Sequence, residues 1–289
     1  MADHRLRAAL DARSFIAAPG VFDMISAKIA DSMGFAALYA TGFGTVASHL
    51  GVADAGLATY TDMVGRVGAF ARGCATPVIA DADTGYGGLL NVRHTVQGYE
   101  AAGVAAIQLE DQEVPKKCGH TPGRTVIAAD EMVRKIEVAA DSRASRDFLI
   151  VARTDARTSL GLPEAIRRGR LYARAGADVV FIESPETEDE MARIGQEIDA
   201  PLLANMVEGG RTPMLSAERL RGLGFSIAIY PAIGFLAVAA ALERVYGRLR
   251  EHGDGASGPE TYGFERMCEL MGFPDVWAFE RRWATGEGA

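Results

Sequence analysis

What constrains this chain most is a unit that recurs along it: an amphipathic helical stretch, a glycine, then a short apolar run. The unit appears as ADSMGFAALYAT around Gly34, YEAAGVAAIQLE around Gly103, YARAGADVVFIE around Gly176 and LRGLGFSIAIY around Gly224. A glycine just past a helix supplies the left-handed terminal position. A continuous apolar run straight after it reads as a strand buried on both faces, as in parallel sheets. Apolar runs without the glycine complete a set of eight: 15–18, 36–40, 77–81, 104–110, 148–153, 179–183, 201–205 and 225–230. Helical patterns over 23–33, 91–102, 130–141, 163–175 and 216–222 lie between them. The alternation predicts an α/β fold, and eight units predict a closed (β/α)8 TIM-type barrel; on pattern alone an open doubly wound sheet stays as the alternative.

No linker divides the chain before EHGDGASGPE at 251–260. The 289 residues are therefore expected to form a single domain, a barrel over about 12–250 with a C-terminal helical extension over about 251–289. That extension carries Trp277, Phe279 and Trp283, more apolar surface than a solvated tail shows, and is expected to pack on a neighbouring subunit.

Charge removes several functions. Thirty Lys and Arg against 38 Asp and Glu give a net charge of −8, with the basic residues scattered among acids, which argues against a nucleic-acid partner. No apolar run approaches the length that spans a membrane, and the opening MADHRLRAALDARSFIAAPG lacks the pattern of a secretory leader. Three cysteines, Cys74, Cys118 and Cys268, are an odd number without CxxC spacing, so a disulfide framework is not expected. The expected compartment is a reducing cytoplasm.

In a parallel barrel the chemistry sits at the C-terminal ends of the strands. Those ends read Tyr39-Ala40-Thr41-Gly42, Asp81-Ala82-Asp83-Thr84-Gly85, Glu110-Asp111, Arg153-Thr154-Asp155, Glu183 and Asn205. Turns and caps account for Ser, Thr, Asn and Asp at such places, but less well for two Glu and an Arg. Asp81, Asp83 and Glu110 on adjacent strands form a carboxylate cluster whose mutual repulsion a cation would offset. Hard oxygen ligands, few in number, suit Mg²⁺ or Mn²⁺ held jointly with a small anionic substrate. Asp83, two places past its strand and followed by TGYGG, also reads as a solvated cap. No His arrangement makes a zinc site, since Cys118 and His120 supply at most two ligands.

Residues 111–128, DQEVPKKCGHTPGRTVIA, form a connection far longer than the usual ~2–6 residues between strand and helix. Such loops are commonly lids, and this one gathers Lys116, Lys117, Cys118 and His120. Neighbouring positive charge favours the thiolate and makes Cys118 a candidate acid–base group. Cys74 and Cys268 lie in helical patterns without such neighbours and read as structural.

Taken in order, APGVFDMISAKIADSMGF (18–35), ALYATG (37–42), DADTGYGG (81–88), IQLEDQ (107–112), KKCGH (116–120), VARTDA (151–156), FIESPE (181–186) and LLANM (202–206) resemble the isocitrate lyase / phosphoenolpyruvate mutase superfamily over nearly the whole chain. The resemblance implies a Mg²⁺-dependent barrel and a homotetramer whose C-terminal helices are exchanged between subunits. KKCGH is similar to the lid of the branches that cleave a carbon–carbon bond. The short chain looks like the 2-methylisocitrate lyase and 2,3-dimethylmalate lyase branch, and Pro231 in IYPAIG is lyase-like. After CGH the chain reads TPGR (121–124), where methylisocitrate lyases typically read RPNK, so the acid itself stays open. The alternatives on the same fold are an oxaloacetate hydrolase or decarboxylase and a carboxyphosphoenolpyruvate phosphonomutase. A non-catalytic binding barrel is disfavoured, because metal carboxylates, Arg153 and the lid cysteine are all present.

The resemblance also implies roles on a 2-hydroxy di- or tricarboxylate substrate. Asp81 and Asp83 would hold the metal directly or through water, with Glu110 behind them. Arg153 would pair with a carboxylate and steady the oxyanion, and backbone N–H groups at Thr41, Gly42 and Phe43 would bind the 2-oxo acid's carboxylate. Glu183 and Asn205 would position the leaving fragment. Cys118 would protonate the carbanion, with His120 tuning the thiol and Lys116 adding positive charge. Tyr39 is the candidate base.

Overall fold

The glycines at the four helix–strand junctions adopt φ of +75° (Gly34), +93° (Gly103), +110° (Gly176) and +92° (Gly224), the left-handed conformation that the repeated unit requires. The computed structural model describes residues 3–119, 121, 123–253 and 261–284. The first half of the chain runs α1 (Arg5–Asp11), β1 (Ile16–Val21), α2 (Met24–Asp31), β2 (Leu38–Ala40), α3 (Gly42–Leu50), α4 (Tyr60–Gly73), β3 (Val78–Asp81), α5 (Leu89–Ala101) and β4 (Ala106–Glu110). Next come α6 (Ala129–Ser142), β5 (Leu149–Thr154), α7 (Ala156–Leu160), α8 (Leu162–Arg174), β6 (Val179–Ile182), α9 (Glu188–Glu197), β7 (Leu202–Asn205), α10 (Ala217–Gly222) and β8 (Ile227–Tyr230). Three helices follow, α11 (Ile233–His252), α12 (Phe264–Leu270) and α13 (Phe273–Trp283).

The strands pair in sequence order, all parallel, and β1 closes on β8 with Ile16 opposite Ile227 and Pro19 opposite Tyr230. The sheet is thus a closed barrel, not an open one. β1 runs through Pro19-Gly20, beyond the stop that the sequence places at Ala18, because Gly20 leaves room for the backbone of Pro231 where a Cβ would collide with it.

Side chains alternate between the inside of the barrel and the helix layer. Ile16, Ala18, Tyr39, Ile79, Ala106, Leu149, Val151, Val179, Phe181, Leu203, Ile227 and Ile229 form one buried cluster, the barrel interior. The intervening strand residues, such as Leu38, Ile107, Ile150, Val180 and Ala228, pack outward against the helices. Leu6 of α1 joins the interior cluster from the end opposite the mouth. Arg7 holds that helix in place, its Nη2 2.7 Å from Asp178 Oδ1, while the same carboxylate accepts from Ile150 N and from Arg143.

The chain divides into two compact units, residues 1–235 and 236–289. Of the second, none of the side chains of α12 or α13 is buried. Its aromatic residues pair along α13, Phe273 with Trp277 at 5.8 Å and Phe279 with Trp283 at 6.3 Å between ring centroids. Among the described residues no helix is long and apolar enough to cross a membrane.

Candidate active site

The same alternation that fills the barrel carries its polar mouth. Asp81 follows Ile79 by two, Gln108 and Glu110 follow Ala106, Arg153 follows Val151, Glu183 follows Phe181, and Asn205 follows Leu203. These groups therefore rise from the interior columns at the C-terminal strand ends, and all are buried. Strand register sets Asp81 beside Gln108 and Glu110 beside Arg153.

At one side of the mouth, Lys116 inserts its ammonium between Asp83, 2.7 Å from Oδ1, and Asp54. Asp83 donates its N–H to Asp81 Oδ1 at 3.1 Å and holds a left-handed φ of 49°, a strained geometry that aims its carboxylate back at the mouth. Burial, with Asp81 and Asp54 nearby, pushes the Asp83 carboxyl up to about 7 although Lys116 opposes the shift. Asp81 is raised by burial too, against the pull of Lys116 and Arg153. A Cβ on Gly42 would collide with Asp81 Oδ2, so glycine at the start of α3 is what lets that carboxylate lie where it does.

Among the described residues no three His, Cys, Asp or Glu side chains converge as a metal cage. Magnesium does not require one, being commonly held by one or two carboxylates plus water and ligand oxygens. Two observations fit such an ion. Among the described residues Glu110 Oε1 is buried without a hydrogen-bond partner, and burial together with neighbouring acids raises both Asp81 and Asp83, a penalty on their charge that a bound cation would relieve. Asp81 and Asp83 are the residues that would hold Mg²⁺, with Glu110 behind them.

At the other side Arg153 is the hub. Its Nε and Nη2 each donate to Asp155 at 2.9 Å, and it lies 3.4 Å from both Glu110 Oε2 and Glu183 Oε2. Its guanidinium sits over the Phe181 ring at 5.2 Å. Glu183 Oε2 also accepts from Asn205 Nδ2 at 3.1 Å, and Oε1 from Ser184 Oγ at 3.1 Å. Burial drives the Glu110 carboxyl well above the usual range although Arg153 opposes it, whereas the surrounding acids outweigh burial and hold Arg153 charged.

The long connection covers this hub. A Cβ on Gly119 would collide with Arg153 Nη2 and lie 2.9 Å from Glu183 Oε2, so the residue that follows Cys118 is seated against both. Thr121 donates to Cys118 O through its N–H at 2.9 Å and its hydroxyl at 2.7 Å. Lys117, exposed, donates from Nζ to Gly123 O at 2.9 Å. His120 lies outside the described residues.

Two expected residues have donors already engaged. Tyr39 is in the barrel interior, donating its hydroxyl to Gln108 Oε1 at 3.0 Å, and burial together with Asp81 raises it well above an ordinary phenol. Its hydroxyl hydrogen is thus engaged with Gln108. Thr41 N–H is taken by Val21 O at 3.1 Å, leaving Gly42 and Phe43, in the first turn of α3, as the backbone donors of that segment.

Sequence reasoning missed Asp54, Gln108 and a second buried tier below Arg153. Gln108 was findable, because it shares the inward parity of Glu110 two residues on. Asp54 lies in an irregular loop, GVADAG, and only the fold brings it to Lys116. In the tier below, Arg124 donates from Nη1 to Asp155 Oδ1 at 2.5 Å, and Asp155 N donates to Asp111 Oδ1 at 2.9 Å. Asp111 Oδ2 accepts from Thr154, Tyr172 and Arg168 at 2.7, 2.7 and 2.9 Å.

Comparison with known proteins places this geometry among relatives. Residues 6–250 match the family model described as phosphoenolpyruvate phosphomutase. The chain is 47% identical to 2,3-dimethylmalate lyase of Eubacterium barkeri over 98% of each chain. It superposes with a TM-score of 0.92 on oxaloacetate acetylhydrolase in complex with 3,3-difluorooxalacetate, 36% identical over 98% of this chain and 97% of that one. On phosphonopyruvate hydrolase complexed with oxalate and Mg²⁺ the TM-score is 0.89, at 32% identity over 99% of this chain and 100% of that one.

Proposed function

The chain belongs to the phosphoenolpyruvate mutase / isocitrate lyase superfamily, and from that premise we propose that it is a carbon–carbon lyase cleaving a 2-hydroxy dicarboxylate of the 2,3-dimethylmalate type. The products are pyruvate and a monocarboxylate. The observation that carries this reading is the seating of Gly119, the residue after Cys118, against Arg153 and Glu183 at a mouth lined by anion-binding and acidic groups. The 47% identity to 2,3-dimethylmalate lyase supports the smaller acid over methylisocitrate.

The residues divide the work as follows. Arg153 pairs with a substrate carboxylate and stabilises the developing carbonyl oxygen, its orientation fixed by Asp155. N–H groups of Gly42 and Phe43 bind the carboxylate that becomes pyruvate's. Burial alone favours the neutral Glu110 carboxyl, but beside Arg153 and a bound cation it would be ionised, and its carboxylate then takes the substrate hydroxyl proton. The carbon–carbon bond then breaks, its electrons passing to the carbon beside the leaving carboxylate, and Cys118 Sγ–H protonates that carbon. The two proton transfers balance, so no co-reactant is needed. Glu183 and Asn205 orient the leaving fragment, and the 111–128 connection excludes water that would compete for the carbanion. Asp81 and Asp83 would hold Mg²⁺ or Mn²⁺, which when bound would supply positive charge against the negative charge developing on the substrate. The whole chain is taken as one catalytic domain in a cytoplasmic homotetramer, the aromatic C-terminal helices packing on a partner subunit.

A lactate-dehydrogenase-coupled pyruvate assay with Mg²⁺, over dimethylmalate, methylisocitrate, isocitrate and citramalate, tests the reading. Oxaloacetate is followed separately by acetate and oxalate release. Turnover of dimethylmalate at least about tenfold above the others is expected; release of oxalate from oxaloacetate, with no lyase activity, would overturn the proposal.

A further inference from the structure

Arg124 departs from the expected lid pattern and has no role in the reading above, yet its side chain is only 1% exposed. Burying a guanidinium is costly unless it is paired, and this one meets a carboxylate already engaged by another arginine. Asp155, itself fully buried, accepts from Arg153 through both oxygens and from Arg124 Nη1 through Oδ1. Arg124 Nη2 donates to Thr158 Oγ1 at 2.8 Å. The backbone around Arg124 is paired to the far limb of the same connection, with Glu113 N donating to Thr125 O at 3.0 Å and Gln112 bridged to Val126.

We propose that Arg124 is a positioning residue: through Asp155 it fixes the guanidinium of Arg153, and through the same ion triad it seats the segment that carries Cys118. The electrostatic consequence is as important as the steric one. With Glu110, Glu183 and Asp155 around it, Arg153 alone leaves that side of the mouth negative, which repels an anionic substrate. Arg124 shares the charge of Asp155 and leaves more of Arg153's for the ligand. Asp111, with its three side-chain donors, holds the backbone of Asp155 rigid, so the triad has little freedom to adjust when one member is lost.

The proposal rests on the assignment of Arg153 to substrate, so its test includes readouts that need no turnover. Arg124→Met, Arg124→Lys and Thr158→Val are compared by oxalate titration with Mg²⁺, by steady-state kinetics on the preferred acid, and by hydrogen exchange at the Glu113 amide. Arg124→Met is expected to weaken oxalate about tenfold, lower kcat about 100-fold and speed exchange at Glu113. Arg124→Lys restores the charge without the two-armed geometry, so oxalate affinity returns to within about threefold while kcat stays depressed. Thr158→Val lowers kcat without changing oxalate affinity. Oxalate affinity and kcat within about twofold of wild type in Arg124→Met would overturn the proposal, as would a loss in Arg124→Lys equal to that in Arg124→Met. If wild type turns over none of the acids, the lyase reading fails while the oxalate titration still decides the role of Arg124. Should wild type bind no oxalate either, unchanged exchange at Glu113 in Arg124→Met overturns the proposal and faster exchange supports it.

Discussion

Lys116 Nζ lies 2.7 Å from Asp83 Oδ1 and is paired on its other side with Asp54, so a lid residue supplies the counter-charge at the corner where a divalent ion is proposed. A cation entering there competes with this ammonium for Asp83. If the proposed ion binds there, its binding and the seating of Lys116 would be linked through a single carboxylate oxygen.

Proton release on metal binding follows from that corner. Burial, which disfavours its charge, pushes the Asp83 carboxyl up to about 7 from the 3.8 of an unperturbed group. With a raised folded value, its contribution to stability is whole below about 3.8 and is lost as pH rises through about 7. Metal-free protein should therefore lose stability over that window relative to Asp83→Asn. Mg²⁺, which needs the carboxylates, should bind more tightly as pH rises toward 7 and release protons below it, from Asp83 and from Asp81, which burial raises too. Calorimetry in two buffers of different ionisation enthalpy measures the number released.

Cys118→Ala should lower kcat by about 10²–10⁴-fold, the usual worth of a positioned general acid, with oxalate affinity held within about threefold. The coupled assay and an oxalate titration separate the two. Full activity in this variant would remove Cys118 from the mechanism.

Gly119→Ala places a methyl group against Arg153 Nη2 and Glu183 Oε2. The segment must lift or Arg153 must turn, and kcat/KM should fall about 100-fold. Because Gly119 is in a loop, the melting temperature should move by no more than about 2–4 °C. A large fall in melting temperature would mean that the residue supports the fold instead.

Leu6→Ala tests the closed end of the barrel. Loss of this fully buried side chain should cost about 2–5 kcal/mol in a urea melt. KM should be unchanged, because Leu6 packs at the end of the interior opposite the site.

The barrel was legible because its signals are local: a glycine after a helix, an apolar run, a polar residue where the run ends. The parity of each strand then told which of those residues face inward, and Asp81, Glu110, Arg153, Glu183 and Asn205 all do. The same parity puts Tyr39 among Ile79 and Phe181, with its hydroxyl on Gln108. Asp54 and the Arg124–Asp155 pair were illegible. They are joined across 62 and 31 positions of chain by ion pairs that exist only once the strands are side by side. No spacing rule connects GVADAG to KKCGH.

Four of the groups at the mouth stand two residues above a hydrocarbon: Asp81 above Ile79, Arg153 above Val151, Glu183 above Phe181, Asn205 above Leu203. The aim of the chemistry is thus borrowed from the packing beneath it, as type is held level by the bed of a press. Trimming Val151 would loosen the floor under Arg153 before it unfolded anything, and turnover would report the damage sooner than a melting curve. Changing which acid is accepted is therefore work for the connections, where Thr121 and Arg124 already differ, and not for the strands.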